Sequence, residues 1–322
     1  MPQARLIGKR KTKIIFLSAI SLGVFVALLF FGDNSLISAR ECILFCATSL
    51  APSLFPLMCA SAILTKSQAS EFIGKMLYPL CKRLFGLSKN GAYVFAIGNL
   101  CGFPIGAQSA YEMYRDNKIS KDELDCLIII SSTPSSAFVI SAIGVSILKS
   151  RRLGICLYIC AIISVFICGM SYRWVHKGAK EFPDLEVCQN KNVSLAAGLC
   201  DAIRSSAQNM LYICGFVVFF NILSSTVKLL CIRIGVTDIL YIVSSGLLEL
   251  SSGGIAAGEL LFPKSLLLCA FFVGWSGLSV HFQIFSVCKD VKVSYVKFFV
   301  WRFIMGVICA LCCSLAISFG FI

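Results

Sequence analysis

Acidic and polar side chains interrupt long apolar stretches of this sequence, and these are the residues that could do chemistry. Glu249, in "GLLELSSGG", is the only charged residue between Asp238 and Glu259. In a bilayer an unpaired charge costs several kcal/mol, so a functional role is the default interpretation. The carboxyl group could bind a polar solute or a cation, or exchange a proton during transport. The alternatives are a structural ion pair or a hairpin tip exposed to water.

The segment "GNLCGFPIGAQSA", residues 98–110, combines glycines, a proline and polar groups between an apolar and a charged stretch. Gly102 and Gly106 would allow close backbone packing or a positive φ, and Pro104 favours a turn. The pattern therefore predicts a hairpin that turns inside a membrane. The Asn99 amide could recognise a polar solute, although packing of the hairpin would use it equally well.

Two apolar stretches carry polar residues in their middle, "IISSTPSSAFVISAIG" at 129–144 and "FVGWSGLSVHFQIFS" at 272–286. Pro134 removes a helix donor, and nearby hydroxyl groups can pair with the freed carbonyls. Each stretch is predicted to be a broken helix, with structural kinking or a core histidine as the alternatives to ligand binding. The remaining candidate solute-binding residues are Thr133, Ser135, Ser136, Ser251, Ser276, His281 and Gln283.

The string "GWSG" at 274–277 matches the GxSG nucleophile string of intramembrane rhomboid proteases. His281 lies five residues after Ser276 and, at about 100° per residue, faces another side of the same helix. His176 falls in a predicted loop. The sequence also contains no phosphate-binding loop or zinc signature. We therefore expect no enzyme, no catalytic residue, no metal and no cofactor, and keep an intramembrane serine hydrolase as an unfavoured alternative.

Composition indicates an integral membrane protein, because 58% of the 322 residues are hydrophobic, 14% are charged and the mean hydropathy is +0.86. Apolar stretches of low charge predict seven crossings. They are residues 14–31, 42–64, 124–148, 153–174, 210–230, 265–288 and 296–319. Basic loops and anionic lipid account for the net charge of +13, so no nucleic-acid partner is expected.

Basic residues are distributed unevenly among the connecting segments. One set, which includes the tail and 289–302, holds 21 of the 29 lysines and arginines. The positive-inside rule therefore predicts a cytoplasmic N-terminus and an external C-terminus. The amphipathic piece 193–209 is predicted to lie along the membrane surface before the span at 210 begins.

The order of segments suggests an internal repeat. "LFPLMCASAIL" at 54–64 resembles "GFVVFFNILSS" at 215–225, and each is followed by a cationic stretch, a Gly/Ser-rich hairpin and a broken span. With the predicted orientation the two hairpins enter from opposite sides, so the halves are inverted. Inverted repeats with broken helices are typical of secondary transporters.

The motifs "GNLCGFPIGAQSAYEMYRDNKIS", "SSTPSSAFVISAIG", "GFVVFFNIL", "LLELSSG" and "GWSGLSVHFQIFS" resemble the YlbJ-type sporulation integral membrane proteins, which carry two nucleoside-recognition (Gate) domains. The resemblance covers roughly residues 42–302. It implies an all-α polytopic protein of the bacterial plasma membrane, an inverted repeat of two Gate-like units with re-entrant hairpins, and a role in spore cortex formation. The implied division is a tail and anchor at 1–41, a first repeat at 42–175, a cytoplasmic linker at 176–192 and a second repeat at 193–322.

These observations together predict a transporter-like protein that binds and moves a small polar solute or ion across the lipid bilayer. The alternative is a non-transporting scaffold or gate, with other sporulation membrane proteins as candidate partners.

Overall fold

The computed structural model describes residues 32–177, 181–185, 195–235, 238–288 and 290–322, and isolated positions between 18 and 30. These residues form helices and turns and contain no strand, which confirms the predicted all-α fold. The basic tail, most of the predicted span at 14–31 and most of the predicted linker at 176–192 lie outside the described residues. The domain boundaries stay a prediction.

Thirteen α-helices with described bounds and two π-helical segments follow one another in the described parts of the chain. The π-helical segments are Cys46–Leu50, between α1 and α2, and Phe138–Ile147, between α6 and α7. The first helices are α1 (Gly32–Phe45), α2 (Ala51–Lys66), α3 (Gln68–Phe85), α4 (Lys89–Cys101), α5 (Ile105–Arg115), α6 (Lys121–Ile130) and α7 (Arg151–Lys177). The others are α8 (Leu195–Ile234), α9 (Asp238–Leu248), α10 (Leu250–Gly258), α11 (Lys264–Trp275), α12 (Gly277–Val287) and α13 (Tyr295–Ser318).

The isolated described positions between 18 and 30 are also helical.

Four helical stretches are long and apolar enough to cross a membrane by length and composition. They are Arg151–His176, Gly198–Ile234, Lys264–Val287 and Tyr295–Ser318. By contrast, α4, α5, α9 and α10 contain 13, 11, 11 and 9 residues. At about 1.5 Å per residue each is too short to cross a hydrocarbon core of about 30 Å.

The structure interrupts both stretches that the sequence predicts to be broken. Residues 131–135 are non-helical between α6 and the second π-helical segment. Ser276, at φ 72°, separates α11 from α12. We call these two interruptions the first break (131–135) and the second break (Ser276).

Two interpretations of the sequence are wrong. Residues 195–209 do not form a separate surface segment but continue into α8, a single helix of 40 residues, because no proline removes a helix donor between 195 and 234. Arg302 does not belong to a connecting segment, since α13 begins at Tyr295 and buries the Arg302 side chain completely.

Close contacts between glycines hold the broken helices against their neighbours. A Cβ atom added to Gly274 of α11 would lie 2.5 Å from the Cα atom of Gly306 in α13. A Cβ atom on Gly144, in the second π-helical segment, would lie 2.4 Å from the Cα atom of Gly154 in α7. Such backbone contacts fix the position of each broken helix.

Candidate functional site

A cavity of about 340 Å³ lies where the two breaks and the α9–α10 hairpin approach one another. Four predicted site residues line it, namely Ser135, Glu249, Ser251 and Gln283. They come from three segments that are far apart in the sequence, and the fold brings them together. We call this space the Glu249 cavity; its walls are otherwise mainly apolar and include Phe45, Leu50, Leu54, Phe103, Phe138 and Val280.

Glu249 lies between α9 and α10 and is 4% exposed. Its Oε2 atom accepts hydrogen bonds from the Ser252 amide at 2.7 Å and the Ser252 hydroxyl at 3.0 Å. The Asn221 amide of α8 donates to the same hydroxyl at 3.1 Å. The carboxylate therefore caps α10, where the helix dipole favours a negative charge. No lysine or arginine of the described chain pairs with it, and it is not a tip open to water.

Gln283 of α12 is 2% exposed, and one of the two polar atoms of its amide has no partner among the described residues. Its Nε2 atom donates to the Ser279 hydroxyl at 3.2 Å, whereas Oε1 is buried and accepts no hydrogen bond from the described residues. Exchanging the two amide atoms would pair Oε1 with Ser279 and leave Nε2 without a partner instead. In either orientation an unsatisfied polar group remains at the wall of the cavity, which is costly without a ligand or water.

The α4–α5 hairpin is joined to the first break by side-chain and backbone hydrogen bonds. The Asn99 amide donates to the Phe95 carbonyl at 2.9 Å and the Ile130 carbonyl at 3.1 Å, and its Oδ1 atom accepts from the Thr133 hydroxyl at 2.8 Å. The Phe103 amide donates to the Thr133 carbonyl at 2.9 Å. The Asn99 amide therefore holds the hairpin against the first break. This is the packing role that the sequence left open as the alternative to solute recognition.

Glycines let this hairpin close. Gly102 has φ 83°, and a Cβ atom there would lie 2.6 Å from the Ser135 amide nitrogen. Gly98 of α4 and Gly106 of α5 lie against each other and against the Ser131 carbonyl, which a Cβ atom on Gly106 would approach to 1.8 Å. Both predicted glycines are thus required by backbone contact, and they lie beside the cavity wall without lining it.

The α9–α10 hairpin repeats this arrangement at the second break. A Cβ atom on Gly253 of α10 would lie 2.0 Å from the Cα atom of Gly246 in α9, and the Phe272 ring packs against Gly246. The Trp275 indole donates to the Leu247 carbonyl at 3.1 Å. In both hairpins a pair of glycines forms the contact between the two short helices, and the neighbouring interrupted stretch packs against that pair.

Arg302 connects the end of α6, next to the first break, to the second break. Its Nη2 atom donates to the Ser276 hydroxyl, and Nη1 donates to the Ile129 carbonyl at 3.4 Å and contacts Met305 Sδ at 3.2 Å. Ile129 and Ser276 lie at the carboxyl ends of α6 and α11, where the helix dipoles favour a cation. No carboxylate of the described chain pairs with the guanidinium, and its Nε atom has no hydrogen-bond partner there.

Comparison with known proteins finds a curated relative. The chain is 24% identical over 298 residues to the sporulation integral membrane protein YlbJ of Bacillus subtilis (strain 168), covering 80% of this chain and 72% of that protein. The chain is thus similar to a YlbJ-type sporulation protein. No protein-family model matches it. No solved structure matches it either.

The remaining candidates lie outside the lining of the Glu249 cavity. The Ser276 hydroxyl donates to the Val273 carbonyl at 3.2 Å and accepts from Arg302. His281 is fully buried, its Nε2 atom lies 2.8 Å from the Trp275 carbonyl, and aromatic rings surround it. His281 is thus a core histidine. Thr133 is bound to Asn99 as described, and Ser136 begins the helix after the first break.

Two polar residues near the breaks and the cavity were not singled out from the sequence. Arg302 was counted with the basic residues of the connecting segment 289–302, although the predicted span 296–319 contains it and "FFVWRFIMGV" could have indicated a buried charge. Asn221 stands in an apolar stretch, and nothing local indicates that it contacts Ser252. Its role depends on how α8 packs against the hairpin.

Thr133→Val is expected to destabilise the protein by about 1–3 kcal/mol, because it leaves the buried Asn99 Oδ1 atom without its donor. The measurement is thermal unfolding of the purified protein in detergent. Thr48→Val is the matched control, since the Thr48 hydroxyl is exposed and donates to the carbonyl of Leu44, four residues earlier in the chain. Equal effects of the two substitutions would contradict a special role for the Asn99–Thr133 bond.

Proposed function

We propose that this protein binds a small polar solute or ion in the Glu249 cavity and moves it across the membrane. The observation that carries the proposal is the buried Gln283 amide, which is incompletely paired at the wall of a cavity of about 340 Å³. A few polar groups in a mainly apolar cavity of this size are typical of small-molecule sites. A core that served packing alone would pair or remove that amide.

The arrangement of the helices supports a transporter-like architecture. We propose that α4–α5 and α9–α10 are re-entrant hairpins and that the two halves form an inverted repeat of Gate-like units. Each half contributes one short hairpin closed by glycines and one broken helix, and the cavity lies among these parts. Broken helices around a central site are the means by which secondary transporters expose polar backbone to a solute.

The physiological setting is proposed from the relative, whose name describes a sporulation integral membrane protein. We place this chain in the bacterial plasma membrane, with a cytoplasmic N-terminus, during spore formation and cortex assembly. The proposal includes no enzymatic step. The separate partners of Ser276 and His281 support this, because a nucleophile and its base need to be within hydrogen-bond reach of each other.

The test is a screen for ligands that raise the melting temperature of the purified protein. The panel contains nucleosides, nucleobases, amino acids, dipicolinate and inorganic cations, since a ligand that binds the folded state stabilises it. We expect a saturable shift with a subset of the panel, and Gln283→Leu is expected to weaken binding at least about tenfold, since it removes the amide that would pair with the ligand.

Gln208→Leu is the matched control, because Gln208 is exposed on α8. It is expected to bind the same ligands as the unchanged protein. If no compound shifts the melting temperature, or if both leucine variants respond alike, the solute-binding proposal is wrong and a scaffold role is favoured.

A further inference from the structure

We infer that the Glu249 cavity selects a small organic cation, a protonated amine attached to a compact apolar body. This inference rests on the proposed function, because it names the class of solute that the same cavity would bind. It follows from three properties of the cavity: the sign of its charge, the balance of hydrogen-bond acceptors, and the nature of its walls.

The charge at the cavity is negative. Glu249 is the one ionisable side chain among its described lining residues, which include no lysine, arginine or histidine. The hydrogen bonds from Ser252 engage Oε2, and no described residue donates to Oε1. Arg302 binds Ser276 and Ile129 instead of lining the cavity. An anionic solute would meet a like charge there, whereas an ammonium group would form a buried ion pair.

The polar groups around this charge are rich in acceptors. In the orientation in which Nε2 donates to Ser279, the Gln283 Oε1 atom is unpaired and can accept a hydrogen bond, and so can the hydroxyl groups of Ser135 and Ser251. An ammonium group has several N–H donors, of which one can pair with the Glu249 carboxylate and the others with these oxygens. The unsatisfied group at Gln283 thereby gains the partner that the protein does not provide.

The walls favour an organic cation over a bare metal ion. Three of them are the rings of Phe45, Phe103 and Phe138, whose faces attract cations and pack against apolar groups. The volume of about 340 Å³ would hold about ten water molecules. It is therefore large enough for a compact organic solute. The described chain also contains no group of three or more His, Cys, Asp or Glu residues suited to hold a metal ion.

The test uses three probes of nearly the same shape but different charge: benzylammonium, benzyl alcohol and benzoate at neutral pH. We expect benzylammonium to raise the melting temperature of the purified protein in a saturable manner and the other two to leave it nearly unchanged. Because the comparison uses the unchanged protein, it does not depend on whether any variant folds.

Glu249→Gln then tests the origin of the preference. Glutamine keeps an oxygen that can accept from Ser252, so α10 remains capped, but the negative charge is lost. Benzylammonium is expected to bind at least about tenfold more weakly to this variant. Glu259→Gln is the matched control, because Glu259 is exposed at the end of α10 and does not line the cavity.

The outcomes separate this inference from the proposed function. An equal or larger shift with benzyl alcohol or benzoate, no shift with benzylammonium, or a benzylammonium shift that survives Glu249→Gln overturns the cation inference. If another compound of the wider panel still binds in a Gln283-dependent manner, the proposed function stands. If none does, both fail.

Discussion

Gly106→Ala is expected to prevent the protein from folding stably. The added methyl group would lie 1.8 Å from the Ser131 carbonyl oxygen and 2.8 Å from the Gly98 Cα atom. Both are backbone atoms, which cannot rotate away as the end of a flexible side chain can. Because α4, α5 and the first break meet at this point, we expect a loss of about 3 kcal/mol or more. The measurement is the yield of monodisperse protein and its melting temperature.

Gly215→Ala is the matched control. Gly215 lies inside α8, and apart from its chain neighbours and the nearby backbone of α8 no atom lies within 4 Å of the position of an added Cβ atom. Alanine is a better helix former than glycine, so this change should stabilise the protein by about 0.5–1 kcal/mol or leave it unchanged. Normal yield and melting temperature for Gly106→Ala would show that the hairpin does not pack as described.

Arg302→Met is expected to abolish function while leaving thermal stability unchanged or raising it. The buried guanidinium has no carboxylate partner in the described chain, so its desolvation is poorly compensated, and methionine fills a similar space without charge. The substitution also removes the connection between Ile129 and Ser276, and thus between the two breaks. The measurements are the melting temperature and spore formation in a strain that carries the variant as its sole copy.

Arg204→Met provides the control, since Arg204 is exposed on α8. It should change neither stability nor spore formation. If Arg302→Met supports normal spore formation, the connection between the breaks has no functional role. If it instead lowers the melting temperature strongly, and spore formation falls in proportion, the main role of the guanidinium group is to stabilise the fold.

Features that depend on local chemistry could be predicted from the sequence. Pro134 and its neighbouring hydroxyl residues indicated the first break, because a missing backbone donor interrupts a helix wherever the chain packs. Composition indicated an all-helical membrane protein for a similar reason, since only internally bonded backbone is stable in lipid. Glu249 stood out as an isolated charge, and the structure places it at the cavity.

Features that depend on which helices meet could not be predicted in this way. Asn99 and Gln283 are both amides in apolar stretches, yet Asn99 is bonded through both amide atoms, whereas Gln283 retains an amide atom without a partner. The difference comes from Thr133 and Ile130, which lie more than thirty residues from Asn99 in the chain. Arg302 illustrates the same limit, because the two helix ends that it contacts, at Ile129 and Ser276, come from other parts of the sequence.

The length of α8 has a mechanical consequence. Its 40 residues extend for about 60 Å, about twice the thickness of a hydrocarbon core. Asn221 touches Ser252 near the Glu249 cavity, and the start of the helix lies about 39 Å away along the axis. A rigid rod of that length acts as a lever, in which a tilt of about 10° at the cavity moves the far end by about 7 Å. Cys200, the exposed cysteine of the described chain, lies near that end and offers a native thiol at which such a displacement can be measured.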